Sequence, residues 1–485
     1  MKGFLTDGFI KKVNLTVCLF LLHNVALAQV QWEFTNQELT SYKNLIENNT
    51  PLSEASNNSP ASLYLHNLKA TLHLLLTENK AKLDAYEDNF EESLKIIEGA
   101  DSSSPYKNFY LAELRLRAAF VYLKFDQQLE SGWQFRQAFR LIEKNVSAYP
   151  NFLPNLKTIG LIHILVGSIP EKYQWLLSIV GLKGSVEQGK TELSKLIDTE
   201  SAFSLESLLL LSLSEAYILQ EPESAKHRLD HINTDESQLL ILAKMSVFIK
   251  NSQSGLAIKL FESTIHTNNL PHLNYLAAEA YLQKGDYDNA SRLYNKYINE
   301  YSGQSNIKDS FYKRYLCKYL SQDTTGLTAS LQQAKSINIE ITEADRYATK
   351  ILEKAETLNK GIMQLRLATD GGFYATARKL LNGDLELVNQ RDSVEIIYRE
   401  ARLEHKTNNL PQAMALYKAV ISKSKNDNWY FAPNSALMLG HLYADQKEYK
   451  LAKDYYLKAK SYRHHEYKNS IDTKAEAGLN LIKGL

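Results

Sequence analysis

Hydrophobic positions in this chain fall on helical spacing. Leu63 to Leu76 and Tyr106 to Phe125 are apolar-periodic stretches opened by Ser59-Pro60 and Ser104-Pro105. That pairing starts helices, because a capping hydroxyl accepts a first-turn N–H and proline's fixed φ suits the position after it. A third stretch, Ala81 to Glu98, runs into Gly99. No segment alternates apolar and polar residues between turn signals at strand spacing. The pattern predicts an all-α chain.

From Pro271 onward a longer period is laid over the helical one. Counting Pro271 as offset 1, Ala277, Ala278, Tyr281, Gly285, Tyr287, Ala290, Tyr294 and Tyr297 stand at offsets 7, 8, 11, 15, 17, 20, 24 and 27. Counting from Pro433, Leu439, Gly440, Tyr443, Tyr449, Ala452, Tyr456 and Ala459 reproduce offsets 7, 8, 11, 17, 20, 24 and 27. Small residues at 8 and 20 let two antiparallel helices approach, and bulky residues at 11 and 24 fill the space beside them. On these residues the chain resembles the tetratricopeptide repeat superfamily. The resemblance implies an α-α superhelix, a solenoid of antiparallel helix hairpins.

The offset-20 alanine recurs as Ala225, Ala257, Ala290, Ala377, Ala413 and Ala452, each with a large residue four positions later. The gap between Ala290 and Ala377 has room for one degenerate unit around Phe311 to Lys335, with Tyr312, Tyr315, Leu316 and Tyr319 as its helical stripe. Two units depart from the pattern: Glu400 stands where an apolar offset-7 residue is expected, and the Ala225 unit is one residue short in its turn. Ile471, Ala475, Leu479 and Ile482 form one face of a closing helix, which open-ended arrays require. The expected organisation is a signal segment at 1–28, irregular helical hairpins at 29–200, and a repeat array with a capping helix at 201–485.

Met1 to Ala28 reads as an address. Lys2, Lys11 and Lys12 precede the apolar run Val13 to Leu22, and Ala26-Leu27-Ala28 stands before Gln29, the layout of a secretory signal peptide. An apolar run of about ten residues is roughly half a bilayer span. Cys18 lies inside that run, away from the cleavage point, so the lipidated cysteine of a bacterial lipoprotein is missing. Cleavage removes three Lys and one Asp, taking 485 residues with 56 basic and 55 acidic groups to 457 with 53 and 54. The expected location is the periplasm or the outer-membrane periphery of a bacterium. Near-neutral charge gives no global field for nucleic acid, and one remaining cysteine, Cys317, makes no disulfide framework. A composition 44% hydrophobic with 20 Gly and 10 Pro excludes disordered and fibrous classes.

Pro154 to Asp198 is the outlier, with Gly160, Gly167, Gly181, Gly184 and Gly189 around apolar helices at Leu156 to Ile169 and Tyr173 to Leu182. It reads as a buried hairpin with close glycine contacts, the competing reading being a membrane-touching hairpin. Within it, Gly184 to Thr191 fits the phosphate-loop pattern G-x-x-x-x-G-K-[ST]. That loop needs a preceding β-strand, and the neighbouring segments read as helices, so the match is taken as accidental. Gly181-Leu182-Lys183-Gly184 to Leu193, with Ala432-Pro433, Leu439-Gly440, Leu442-Tyr443, Lys458-Ala459-Lys460, Tyr462 and Tyr467, is similar to the tetratricopeptide repeat domain 39 and inclusion-body clearance family. That resemblance implies a non-enzymatic adaptor for mitochondrial outer-membrane or lipid-related quality control.

No catalytic signature stands out. His464-His465-Glu466 with His441 lacks metal-ligand spacing, no serine elbow is present, and Cys317 in a Tyr-rich stripe reads as core. Neither cofactor nor metal is expected. The repeat resemblance implies that first helices line a concave groove. Offset 5 then supplies Tyr275, Ile362, Tyr398 and Leu437; offset 9 supplies Glu279, Arg366, Arg402 and His441; offset 13 adds Lys406. An aromatic row beside Arg and His suits a peptide with acidic groups. The expected function is an exported, non-enzymatic scaffold binding protein partners through this groove. The alternatives are a glycan- or nutrient-binding outer-membrane accessory protein and a membrane-associated lipid-handling factor. N-terminal sequencing of the exported protein is expected to start at Gln29; a start at Met1 contradicts the address reading.

Overall fold

The computed structural model describes residues 30–48, 59–100, 104–169, 181–199, 201–232, 237–264 and 270–483. The signal segment and all but the last two residues of the expected helix Tyr173 to Leu182 lie outside them, and Gly181 and Leu182 are not helical. Every described regular element is helical, and no strand occurs among the described residues. The chain divides into two compact units, one of residues 1–42, 51–72 and 82–152, the other of 43–50, 73–81 and 153–485.

The first unit is built on the helices Pro105–Lys124 and Gln128–Ala148. Ser104 caps the former with its side chain on the Tyr106 N–H. The aromatic core gathers Phe34, Tyr42, Tyr64, Phe109 and Tyr110, with Tyr64 and Tyr110 ring centroids 4.8 Å apart. One cation sits inside it. Arg117 lies 4.0 Å over the Tyr64 ring and donates to the Tyr64 carbonyl and to Glu113, each at 3.1 Å, which satisfies a charge too costly to bury alone.

The second unit is a run of helix hairpins. Asn155–Gly167 packs on Val186–Ile197; then follow Gln238–Lys250 with Ser254–Thr264, Pro271–Lys284 with Tyr287–Glu300, and Ile307–Ser321 with Leu327–Ser336. Lys360–Asp370 with Tyr374–Leu381, Gln390–Lys406 with Leu410–Lys423, and Phe431–Asp445 with Tyr449–Ser461 continue it to the closing helix Lys468–Leu481. Sequence periodicity had assigned nothing to Glu343–Leu352, an additional helix inside the long gap between alanines. It is held by the Asp345 carboxylate, which caps its own helix through Thr342 and accepts from the Asn306 and Asp309 N–H groups at 3.1 Å.

All six offset-20 alanines are fully enclosed. Their lack of a longer side chain is what allows the opposite helix to reach van der Waals contact. Glycine does the same at the last repeat, where a Cβ on Gly440 or Gly478 would meet the Tyr456 ring at 2.5 or 2.4 Å. In the 155–197 hairpin, a Cβ on Gly189 would stand 2.4 Å from the Gly160 carbonyl oxygen, so this stretch is glycine-mediated close packing.

The turn inside each repeat obeys a rule that composition hides. Offset 15 is left-handed in all six units, at Gln220, Ser252, Gly285, Gly372, Asn408 and Lys447, with φ between 58° and 87°. In five of them the next N–H bonds to the carbonyl at offset 11, as from Asp286 to Tyr281 and Glu448 to Tyr443. The Ala225 unit differs because its first helix ends in the π-helical segment Ser214–Ile218, and Glu221 reaches back to Glu215 instead. Only glycine adopts this backbone without a Cβ penalty. Gly372→Ala is therefore expected to cost about 3 kcal/mol, combining positive φ with a Cβ placed 1.8 Å from the Ser252 carbonyl oxygen. Lys447→Gly is expected to raise the urea midpoint; urea denaturation of both variants checks the pair, and the reverse order contradicts the register.

Candidate functional site

In two units the offset-9 side chain is held from below by the offset-24 tyrosine. Tyr456, buried against Gly440, pairs its hydroxyl with His441 Nδ1 at 2.9 Å. Tyr294 donates in the same way to Glu279. In the Ala413 unit the Tyr417 hydroxyl pairs with His405 Nδ1 at 3.2 Å, one turn further along the helix, and leaves Arg402 at offset 9 without it. The Ala377 unit has Leu381 at offset 24, which has no hydroxyl. There Arg366 donates to the Tyr347 hydroxyl at 2.5 Å and lies 3.6 Å from Asp370.

The nine candidate groove residues therefore separate into three groups. Ile362, Tyr398 and Leu437 are buried, Leu437 fully; Tyr398 donates to Asn434 at 2.9 Å. This part of the expected apolar row packs between helices, because offset 5 faces the neighbouring repeat. Tyr275 and Glu279 belong to a closed polar network. Tyr275 donates to Asp309 at 2.8 Å, and Lys313 bridges Asp309 at 2.8 Å and Glu279 at 2.5 Å. Burial raises the Asp309 carboxyl above the usual range despite Lys313. Arg366, Arg402, Lys406 and His441 remain on the half-buried or exposed face of the first helices.

Sequence reasoning missed a second feature beside Arg366. A cavity of about 750 Å³ is lined by Tyr347, Arg366, Arg391, Tyr430, Glu466 and Tyr467, among others. Tyr467 stacks on Tyr347 with centroids 6.4 Å apart and meets Tyr430 edge-on at 5.2 Å. Arg391 forks onto both Glu466 carboxylate oxygens at 3.1 and 3.2 Å, so Glu466 is already committed. Tyr347 and Tyr467 lie outside the repeat offsets, where no periodic signal reaches.

Other motifs have structural employment. Ser185 caps Val186–Ile197, no strand occurs among the described residues, and Lys190 pairs with Glu221 at 2.7 Å. Arg228 and Lys190 flank the fully buried Glu215 at 2.9 and 3.9 Å. Cys317 is buried, and burial pushes its thiol well above the ordinary range. No group of three metal-ligating side chains occurs among the described residues.

The tetratricopeptide repeat family matches residues 271–301 and 433–463. No curated protein matches the chain, and the resemblance to the tetratricopeptide repeat domain 39 family gains no support. Among solved structures, a human IFIT1 dimer with PPP-AAAA is similar at 15% identity and a TM-score of 0.33, covering 93% of this chain and 96% of that one. The TPR domain of P58(IPK) is similar at 14% identity and a TM-score of 0.22, covering 87% and 98%.

Two histidines on this face give it a pH dependence. Burial, reinforced by Lys474, brings the His441 imidazole down to about 4; burial, with Arg402, Lys406 and His441, brings His405 down to about 4. Both stay neutral in the folded chain, whereas in the unfolded chain they take up protons below about 6.5. Their contribution is complete above that pH and is lost as pH falls towards 4. Folding stability should drop by about 1 to 3 kcal/mol per histidine on going from pH 7 to 4.5. His441→Gln should flatten the pH dependence of the urea midpoint; an unchanged slope contradicts the assignment.

Proposed function

From the premise that the chain carries tetratricopeptide repeats, we propose that it is an exported, non-enzymatic scaffold that binds protein partners along the concave face of its first helices. Tetratricopeptide repeat proteins are in general interaction scaffolds. The observation carrying the reading is the row Arg366, Arg402, Lys406 and His441. It runs over three consecutive units on exposed or half-buried positions, with two members fixed by tyrosine hydroxyls, one from Tyr347 and one from Tyr456.

Preorganised side chains lose less entropy on binding than mobile ones, and arginine supplies a flat, multiply donating group suited to partner carboxylates and carbonyls. Export is supported by the basic start, short apolar run and Ala26-Leu27-Ala28 of the first 28 residues, and on that reading the partner is sought in the bacterial envelope.

A pull-down from a bacterial envelope fraction with residues 29–485 as bait tests the proposal. The wild-type bait is expected to retain a defined partner. The Arg366→Ala, Arg402→Ala, His441→Ala triple variant is expected to retain at least tenfold less, a loss of about 1.4 kcal/mol or more. Equal capture by both baits contradicts the groove, and capture of nothing by wild type contradicts the scaffold reading.

A further inference from the structure

One tyrosine stands where tyrosine is costly. Tyr467, the residue before the closing helix, has φ 61°, in the left-handed region that glycine or asparagine enters with least penalty. The other non-glycine residues at positive φ among the described residues are Glu, Asp, Gln, Ser, Asn or Lys. Tyr467 also keeps 45% of its surface in solvent, so burial does not repay the whole cost. A bulky residue persists in such a conformation only where its surroundings over-determine it, an arrangement that recurs at ligand clamps.

Those surroundings hold the ring as a platform. Tyr347 stacks on it and Tyr430 meets it edge-on. Both of these rings are pinned by arginines: Arg366 donates to the Tyr347 hydroxyl at 2.5 Å and Arg399 to that of Tyr430 at 2.7 Å. All three tyrosines line the cavity of about 750 Å³, a volume within the roughly 300 to 1,000 Å³ of small-molecule sites. Of its lining residues, Tyr467 is the one large apolar side chain that stands exposed.

The polar lining selects the ligand class. Much of its charge is neutralised within the protein: Glu466 by Arg391 at 3.1 Å, Glu395 by Arg399 at 2.6 Å and Lys468 by Asp472 at 2.7 Å. Glu343, Glu353, Lys350, Lys354, Asn469 and Ser470 are exposed, and none has a side-chain hydrogen bond or ion pair among the described residues. Two acids, two cations and two neutral groups thus offer donors and acceptors with no net charge. A polyanion is met by a surface of one sign, and the arginines behind Tyr347 and Tyr430 disfavour a cation held in a tyrosine cage. Saccharide hydroxyls both donate and accept, and a pyranose can turn a face of C–H groups to a flat apolar ring while its hydroxyls reach outward. We propose that this cleft binds a neutral oligosaccharide, with one sugar ring stacked on Tyr467 and its hydroxyls bonded to the exposed polar rim. The site goes beyond the scaffold reading: of the row offered there to protein partners it contains only Arg366, and it stands or falls without that reading.

Isothermal titration calorimetry on residues 29–485 tests this with four probes: maltohexaose, cellohexaose, N-acetylchitohexaose and the acidic hexagalacturonate. At least one of the three neutral sugars is expected to bind, with an affinity unchanged by added salt. Tyr467→Gly should weaken that binding about tenfold or more, while the Tm changes little because the relaxed backbone offsets the lost stacking. Tyr467→Phe, which keeps the ring, should bind like wild type. Asn469→Ala with Ser470→Ala, exposed in the first turn of the closing helix, should weaken binding at unchanged Tm, which decides the matter where Tyr467→Gly proves unstable. No neutral sugar bound, full affinity in Tyr467→Gly or in the rim variant, or tighter binding of hexagalacturonate than of any neutral sugar overturns the proposal. So does loss of an envelope partner by Tyr467→Gly in a protein that binds none of the sugars, which assigns the cleft to a peptide.

Discussion

The repeat array depends on one contact, a large side chain buried against a residue with little or no side chain; in three of the six units it is a tyrosine whose hydroxyl also reaches a polar group. Tyr456 shows it fully, lying against Gly440 and Gly478 with its oxygen on His441. Burying the ring supplies apolar contact area, and bonding the hydroxyl avoids the cost of leaving it dry and unpaired. Phenylalanine would keep the first term and release the groove residue. A chain with 29 Tyr against 17 Phe uses both terms, and joins the core of the array to side chains on the outer face of its first helices.

The second constraint is the left-handed turn residue at offset 15. It sets the angle at which the second helix folds back and brings the offset-20 alanine under the first. Glycine occupies it only at 285 and 372, and Asn, Ser, Gln and Lys occupy the others. Their backbone penalty of about 1 kcal/mol is small beside the burial that hairpin closure brings, which explains how the turn survives without glycine.

The sequence made the fold class and the register legible because both are local: an alanine every 32 to 39 residues on either side of one long gap, a large residue four later, proline and serine at helix starts. The Glu343–Leu352 helix was not legible, since its anchor, Asp345, bonds to Asn306 and Asp309 nearly forty residues away. The site was half legible for the same reason. Of the offset-9 residues, Arg366, Arg402 and His441 lie half-buried on the first helices, but the partners of Glu279 and Tyr275 are Lys313 and Asp309 of the following unit, so those two closed into a network. The offset-5 row is covered by the next repeat, which a single-repeat view leaves out.

The coupling between the buried core and the first-helix face proposed to bind partners is tested most directly by a double-mutant cycle on Tyr456 and His441. Urea unfolding at pH 7.5, where the imidazole is neutral, should be measured for wild type, Tyr456→Phe, His441→Leu and the double variant. The hydroxyl–imidazole bond predicts a coupling energy of about 1 kcal/mol. Additivity within about 0.3 kcal/mol would contradict it and leave the tyrosine hydroxyl without the anchoring role on which the face depends.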